Sequence, residues 1–271
     1  MEAPLGDADP LVWATALAAL EALPPAARVR LATPRLRDAV RVVRLAAAHA
    51  LAGTPQQAWS TEQQADFDPA LSELIASEAV NADRPETHLN LATLYARLGR
   101  AADAEAALRT ALVLDPHFVP ALVNLADLFR AQGREADAER ALAQALQETP
   151  DSAEALHALG LLRVRQGRHH EAVALFQRAV QRRPESTRFA YVYTVALHSL
   201  GNASQAIMVL ENAHQQRPAD REALSALVTY LREGGDNKAA LRYAEQLLTL
   251  TPGDHEVQRL VETLYRQASS Q

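Results

Sequence analysis

The sequence lacks cysteine and is poor in glycine and aromatic residues. Its 271 residues include 10 glycines, no cysteine and 5% aromatic side chains. Without cysteine, the chain has no disulfides, no thiolate nucleophile and no haem attached through a C-x-x-C-H motif. No run of about 18 uncharged apolar residues occurs, so we expect no membrane insertion. These absences exclude several classes of redox, metal and membrane protein.

The charge and residue pattern exclude further classes. The formal net charge is −6, and nucleic-acid binding usually requires a basic surface, so we expect no nucleic-acid partner. β-branched and aromatic residues never gather into alternating runs bounded by turn residues, which argues against a sheet. Alanine and leucine, both strong helix formers, recur throughout the chain. The sequence therefore predicts an all-α protein.

Sequence motifs for catalysis and metal binding are also missing. The chain contains no H-E-x-x-H, G-x-S-x-G, Walker or dinucleotide-binding pattern. His169 and His170 are the only adjacent histidines, and they are expected to be exposed between two helices, without the further ligands that a metal site needs. We predict no enzyme activity, no metal and no cofactor.

A 34-residue period dominates the chain from residue 85 onward. Glycines and prolines recur at this spacing, and so do alanines in two further columns. The glycines are Gly99, Gly133, Gly167, Gly201 and Gly235, the prolines are Pro116, Pro150, Pro184, Pro218 and Pro252, and one alanine column is Ala104, Ala138, Ala172, Ala206 and Ala240.

Each column has a mechanical reason. The glycine follows an apolar run and can end a helix in the left-handed conformation. The proline follows a second run and cannot continue that helix. Small residues let the two helices approach closely, while leucines and aromatics such as Leu91, Leu108 and Phe176 fill the space between them. Each 34-residue segment is thus a pair of helices.

These columns resemble the tetratricopeptide repeat. The resemblance implies an α-solenoid, a right-handed α–α superhelix, with units at 85–118, 119–152, 153–186, 187–220 and 221–254. Residues 255–271, with a helix from His255 to Tyr265, look like a C-terminal cap over the last unit. Arg163 departs from the pattern because a large apolar residue stands at its place in other units.

The N-terminal third follows a different, 31-residue step. Residues of one copy recur in a second, in a pattern that resembles the second helix of a HEAT repeat: Asp7, Val12, Ala16, Ala19 and Leu20, then Asp38, Val43, Ala47, Ala50 and Leu51. The aspartates are expected to cap these helices. We assign residues 1–53 to HEAT-like helices, with a first helix from Pro24 to Leu36.

Residues 54–84 are predicted to connect the two arrays. The segment 53–68 has the composition of a polar loop, and residues 69–85 resemble the second helix of a degenerate repeat. The first HEAT-like helix has no partner ahead of it, and an uncovered apolar face is costly in a solenoid. We therefore expect the chain to belong to a longer protein, or to form a homodimer through this face.

The resemblance places the binding surface on the first helices of the repeats. Asn90 and Asn124 occupy equivalent places, where related scaffolds hold the amides of an extended peptide. Arginines at several of these places favour an acidic guest. The candidate groove residues are Asn90, Arg97, Asn124, Asp127, Arg130, His157, Arg165, Tyr191, His198 and Arg232.

Two functional hypotheses follow. The first is a non-enzymatic scaffold that binds a peptide or partner protein in the groove. The second is a structural module of a larger exported protein, because the order of helices and the phrase NADRPETHLNLATLYARLG resemble the C-terminal region of bacterial multihaem cytochrome c proteins of the c554 type. The second hypothesis implies a periplasmic location, and otherwise the chain is expected in the cytoplasm.

Overall fold

The computed structural model describes residues 9–55 and 59–268, which divide into two compact units, Met1–Gln132 and Gly133–Gln271. Within the described residues every regular element is helical, and paired helices recur in both units, which confirms the predicted all-α repeat fold. No helix in these residues is both long and apolar enough to cross a membrane.

The first unit begins with short helices and continues with longer ones. Short 3-10 turns follow α1, α2 and α4. The helices are α1 (Pro10–Ala19), α2 (Pro25–Ala32), α3 (Arg41–Leu51), α4 (Thr61–Glu78), α5 (Pro85–Arg97), α6 (Ala101–Leu114) and α7 (Val119–Ala131).

The second unit consists of helices of nearly uniform length. Its helices are α8 (Glu135–Glu148), α9 (Ala153–Arg165), α10 (His169–Arg182), α11 (Thr187–Ser199), α12 (Ala203–Gln216), α13 (Arg221–Glu233), α14 (Asn237–Leu250) and α15 (His255–Ala268). The last helix packs on α14 and buries Leu264 completely.

The N-terminal helices share one apolar core. Trp13 and Leu17 of α1, Val43 and Leu51 of α3, and Phe67 of α4 are buried together. The Asp9 side chain accepts the Leu11 N–H at 2.9 Å and caps α1, whereas the predicted cap Asp7 lies outside the described residues. The HEAT-like assignment of these helices stays a prediction.

Three expectations for this region need correction, two on the helices up to Leu51 and one on the segment that follows. The predicted helix Pro24–Leu36 ends at Ala32, and a 3-10 turn around Pro34 follows, because proline has no N–H to continue the ladder. Asp38 does not cap α3 directly: it accepts the N–H of Val40, the residue before the helix, at 2.9 Å.

The segment 53–68 is also more helical than expected, because α4 already begins at Thr61. A capping box starts it: Ser60 Oγ accepts the Gln63 N–H at 3.2 Å, and Gln63 Oε1 accepts the Ser60 N–H at 2.8 Å. Pro69, where the predicted helix starts, lies inside α4. Residues 56–58 of the expected loop lie outside the described residues.

Glycines end the first helix of each repeat as the sequence indicates. At Gly99 the backbone φ is +72°, and the N–H of the next residue, Arg100, donates to the Tyr95 carbonyl at 2.9 Å. This bond satisfies a carbonyl that the helix end leaves unpaired. Positive φ values recur at Gly133, Gly167, Gly201 and Gly235.

Arg163 is accommodated by a polar cluster. Its side chain is only 10% exposed and donates to Glu139 Oε1 at 2.6 Å and to Gln166 Oε1 at 2.7 Å. Glu171 Oε2 lies 3.6 Å from the Arg163 Nε. The bond from Arg163 holds the pKa of the Glu139 carboxyl below its usual value. The arginine can thus occupy the place of a large apolar side chain because neighbouring carboxylates compensate its buried charge.

Candidate functional site: surfaces on the first helices

In the first unit, three predicted groove residues line one cavity of about 620 Å³, which we call cavity A. They are Arg97 of α5, and Asn124 and Asp127 of α7. Most of the remaining wall is small or apolar. The full lining consists of Ala92, Thr93, Ala96, Arg97, Gly99, Ala101, Ala104, Leu108, Asn124, Asp127, Leu128, Ala131 and Gln132.

The arginines of this surface are paired with acids. Arg97 Nη2 lies 2.8 Å from Glu21 Oε1 and donates to the His49 carbonyl at 2.9 Å. Arg130 Nη2 lies 3.1 Å from Asp127 Oδ1, one turn earlier on the same helix. Both cations are therefore largely neutralised inside the unit, and the surface here carries little excess positive charge.

Arg97 also affects a neighbouring histidine. Its Nη1 lies 3.3 Å from both ring nitrogens of His49, whose Nδ1 lies 3.4 Å from Glu21 Oε1. Burial, and then the charge of Arg97, lower the pKa of His49. The three side chains join the N-terminal helices to α5.

The two asparagines have different local partners. The Asn124 Nδ2 donates to the Pro120 carbonyl at 2.8 Å, one turn earlier in α7. The Asn90 Nδ2 lies 3.5 Å from Glu78 Oε2, at the limit of a hydrogen bond, and Asn90 does not line cavity A. Only Asn124 is therefore placed at the cavity.

In the second unit, Tyr191 lines a cavity of about 690 Å³, which we call cavity B. Its wall is more polar than that of cavity A, with three charged side chains and four hydroxyl groups. The lining consists of Tyr191, Arg221, Glu222, Ser225, Ala226, Thr229, Tyr230, Leu247, Asp254 and Val257.

His198 lies beside Tyr230. The two rings are stacked with centroids 4.2 Å apart, and the His198 Nε2 lies 2.9 Å from Glu233 Oε2. Burial chiefly raises the pKa of Tyr230, and Tyr191 and Glu233 raise it further. His198 thus supports an aromatic wall of cavity B through Tyr230.

The prediction for His157 is wrong. This side chain is 4% exposed and lies between Phe176, at a centroid distance of 5.4 Å, and Phe189, at 4.4 Å. His157 is therefore a core residue. Helical spacing alone predicts an exposed position for His157. Gly160 on the same helix has no side chain, so the Phe176 ring can come close to α9 and cover His157.

The remaining arginines differ in their partners. Arg165 Nε lies 3.3 Å from Glu135 Oε1, so this cation is paired across two helices. Arg232 is exposed, and no described acidic group lies within ion-pair distance of it. Arg221, which the sequence argument did not include, is likewise exposed and lines cavity B.

Sequence reasoning missed the walls of both cavities. Ala96, Leu128 and Ala131 line cavity A, whereas the sequence pattern indicates only close helix contacts for the alanines. Arg221 lies one turn before Ser225 and could have been found by extending that face of α13, whereas Tyr230, five residues after Ser225, lies off that face. No group of three or more His, Asp or Glu side chains within residues 9–55 and 59–268 could hold a metal ion.

Comparison with known protein families now identifies the repeats. A family model described as tetratricopeptide repeat matches residues 56–117 and 123–187. A second model with the same description matches residues 163–228 and 197–264. The chain belongs to the tetratricopeptide repeat family. No curated protein matches the sequence.

Solved structures of several other proteins share the fold. PilF of Pseudomonas aeruginosa aligns with a TM-score of 0.57 and 20% identity over 69% of this chain and 87% of its own. YrrB, described as a TPR protein with an unusual peptide-binding site, aligns with a TM-score of 0.50 and 18% identity over 70% and 97%. MamA from Desulfovibrio magneticus aligns with a TM-score of 0.52 and 15% identity over 63% and 97%. At these identities the similarity shows the fold alone.

Proposed function

We propose that this chain is a non-catalytic scaffold that binds a segment of a partner protein on the first helices of its tetratricopeptide repeats. The observation that carries the proposal is cavity A, where Arg97, Asn124 and Asp127 surround one opening between α5, α6 and α7. Pockets of roughly 300–1,000 Å³ with a few convergent polar groups are typical of binding sites.

Asn124 is suited to hold the backbone of a bound segment. Its Nδ2 is engaged by the Pro120 carbonyl, and its side-chain carbonyl oxygen has no bonding partner among the described residues. That oxygen can accept an N–H from an extended peptide. The peptide-binding site described for YrrB, which has the same fold, supports this kind of ligand without transferring individual residues.

Cavity B supplies a separate surface in the second unit. Ser225 and Thr229 are exposed on α13, one turn apart, and Tyr191 adds an aromatic side chain that is 42% exposed. Arg221 and Arg232 are exposed and have no ion pair with another residue that the structure describes, so this unit is where we expect an acidic segment of the partner to bind.

The test is binding of the full chain to an array of immobilised decapeptides. We expect wild-type protein to bind a defined subset, and the Asn124→Ala, Arg130→Ala double variant to lose about tenfold in affinity, since it removes one backbone contact and the partner of Asp127. Asn212→Ala with Arg109→Ala is the matched control, because both residues are exposed on second helices.

Unchanged binding by the Asn124→Ala, Arg130→Ala variant would exclude the first-helix surface of unit 1 as the peptide-binding site. Light scattering on the same samples separates peptide binding from self-association of the chain.

A further inference from the structure

We infer that cavity A receives an uncharged, apolar side chain of the partner, of the class of leucine, methionine or phenylalanine. This inference rests on the proposed function and specifies which chemistry the partner brings to the first unit. It differs from the sequence-based expectation of an acidic guest.

The wall of cavity A is built from small and apolar side chains on facing elements. Ala92 and Ala96 come from α5, Ala104 from α6, and Leu128 and Ala131 from α7. Alanines at these places leave the cavity of about 620 Å³ open, and that volume is large enough for a bulky side chain with part of its backbone.

The charged groups at the rim and the Thr93 hydroxyl already have partners within the unit, while the Asn124 side-chain oxygen remains available for a peptide N–H. Arg97 is paired with Glu21 at 2.8 Å, and Asp127 is paired with Arg130 at 3.1 Å. The Thr93 hydroxyl donates to the Leu89 carbonyl at 3.0 Å. A charged side chain that entered would lose its water and meet no unpaired counter-charge. An apolar side chain has no such desolvation penalty, and its burial lowers the Kd about tenfold to hundredfold.

Cavity B provides an internal contrast. Arg221, Glu222 and Asp254 contribute charge to its wall, and Ser225 and Thr229 contribute hydroxyls. Apolar selectivity is therefore expected at cavity A and not at cavity B.

The test uses immobilised decapeptides whose central residue is Leu, Met, Phe, Asp or Lys and whose other positions are randomised. Wild-type full-length chain is expected to bind the three apolar pools at least tenfold more strongly than the Asp and Lys pools. The filled variant, Ala96→Leu with Ala131→Leu, is expected to lose that preference. Both alanines are exposed at the cavity rim, so leucine there does not overpack the core.

The matched control is Ala102→Leu with Ala106→Leu. These alanines are exposed on α6 and do not line the cavity, so wild-type selectivity is expected. Circular dichroism and urea midpoints verify that both double variants fold. Equal binding of apolar and charged pools, or a filled variant that binds like wild type, overturns the inference.

Failure of the inference and failure of the proposed function give different results. If peptides bind and depend on Asn124 but not on the central residue, the scaffold function stands and the apolar anchor is wrong. If no pool binds wild-type protein, both are wrong.

Discussion

Replacing Gly160 with alanine tests the packing of the third repeat most sharply. Gly160 lies inside α9, where glycine normally costs about 1 kcal/mol relative to alanine. An isolated helix would therefore gain stability from Gly160→Ala. In this fold, however, the added Cβ would lie 2.4 Å from Cε1 and 2.7 Å from Cδ1 of Phe176.

The Phe176 ring cannot easily move away from the added methyl group. Its side chain is 1% exposed, and its ring lies against His157 at a centroid distance of 5.4 Å. Overpacking of this kind costs about 1–3 kcal/mol, which exceeds or cancels the helix-propensity gain. We expect Gly160→Ala to lower the free energy of unfolding by up to about 2 kcal/mol.

The assay is urea denaturation followed by circular dichroism, in a cycle with Phe176→Val. Valine removes the ring atoms that the new methyl group meets, so Gly160→Ala should stabilise the Phe176→Val protein by about 0.5–1 kcal/mol. The coupling between the two sites is then at least about 0.5 kcal/mol. A Gly160→Ala single variant that is more stable than wild type by about 1 kcal/mol would refute the packing argument.

Three further outcomes are expected. The pKa of Glu139 is held below its usual 4.5, chiefly by the bond from Arg163. This carboxylate therefore stabilises the fold above pH 4.5, and its contribution is lost as the pH falls through the lowered pKa. Acid titration of Arg163→Met should show a weaker loss of stability, and a pH profile equal to that of wild type contradicts the proposed role of the Arg163 cluster. The pKa of His49 is lowered from 6.5 by burial and then by the charge of Arg97, so lowering the pH through 6.5 should reduce the stability of the N-terminal helices. Hydrogen exchange of the His49→Gln variant should lack this pH dependence of stability, whereas a pH dependence that persists in the variant comes from another group. Ser60→Ala removes the cap of α4 and should cost about 1 kcal/mol in urea denaturation, while no change in midpoint means that the capping box does not stabilise the helix.

The repeat period predicted the fold well because it reports directly on helix ends and helix contacts. The left-handed glycines are found where the 34-residue column places them, at Gly99 and its equivalents. The connection between the two arrays was harder to predict. There a capping box at Ser60 competes with Pro69 as a helix-start signal, and the capping box determines where α4 begins.

The candidate site was predicted in part. Helical spacing puts Asn124 and Asp127 on the same face of α7, and both side chains line cavity A; that a partner binds there stays a prediction. It failed for His157, because burial there depends on the neighbouring Phe176 and Phe189, which come from other helices. The ion pair of Arg97 with Glu21 joins residues far apart in sequence, and no local pattern predicts it.

The most direct measurement of the central claim is photo-crosslinking of a bound peptide. An array-selected decapeptide is synthesised with photo-leucine in place of its apolar central residue, bound to the full chain and irradiated, and the attachment sites are mapped by mass spectrometry. We expect attachment at the walls of cavity A, on α5 near Ala96 and on α7 near Leu128 and Ala131. Attachment confined to the second helices, such as α6 near Ala102 or α12 near Met208, would contradict it.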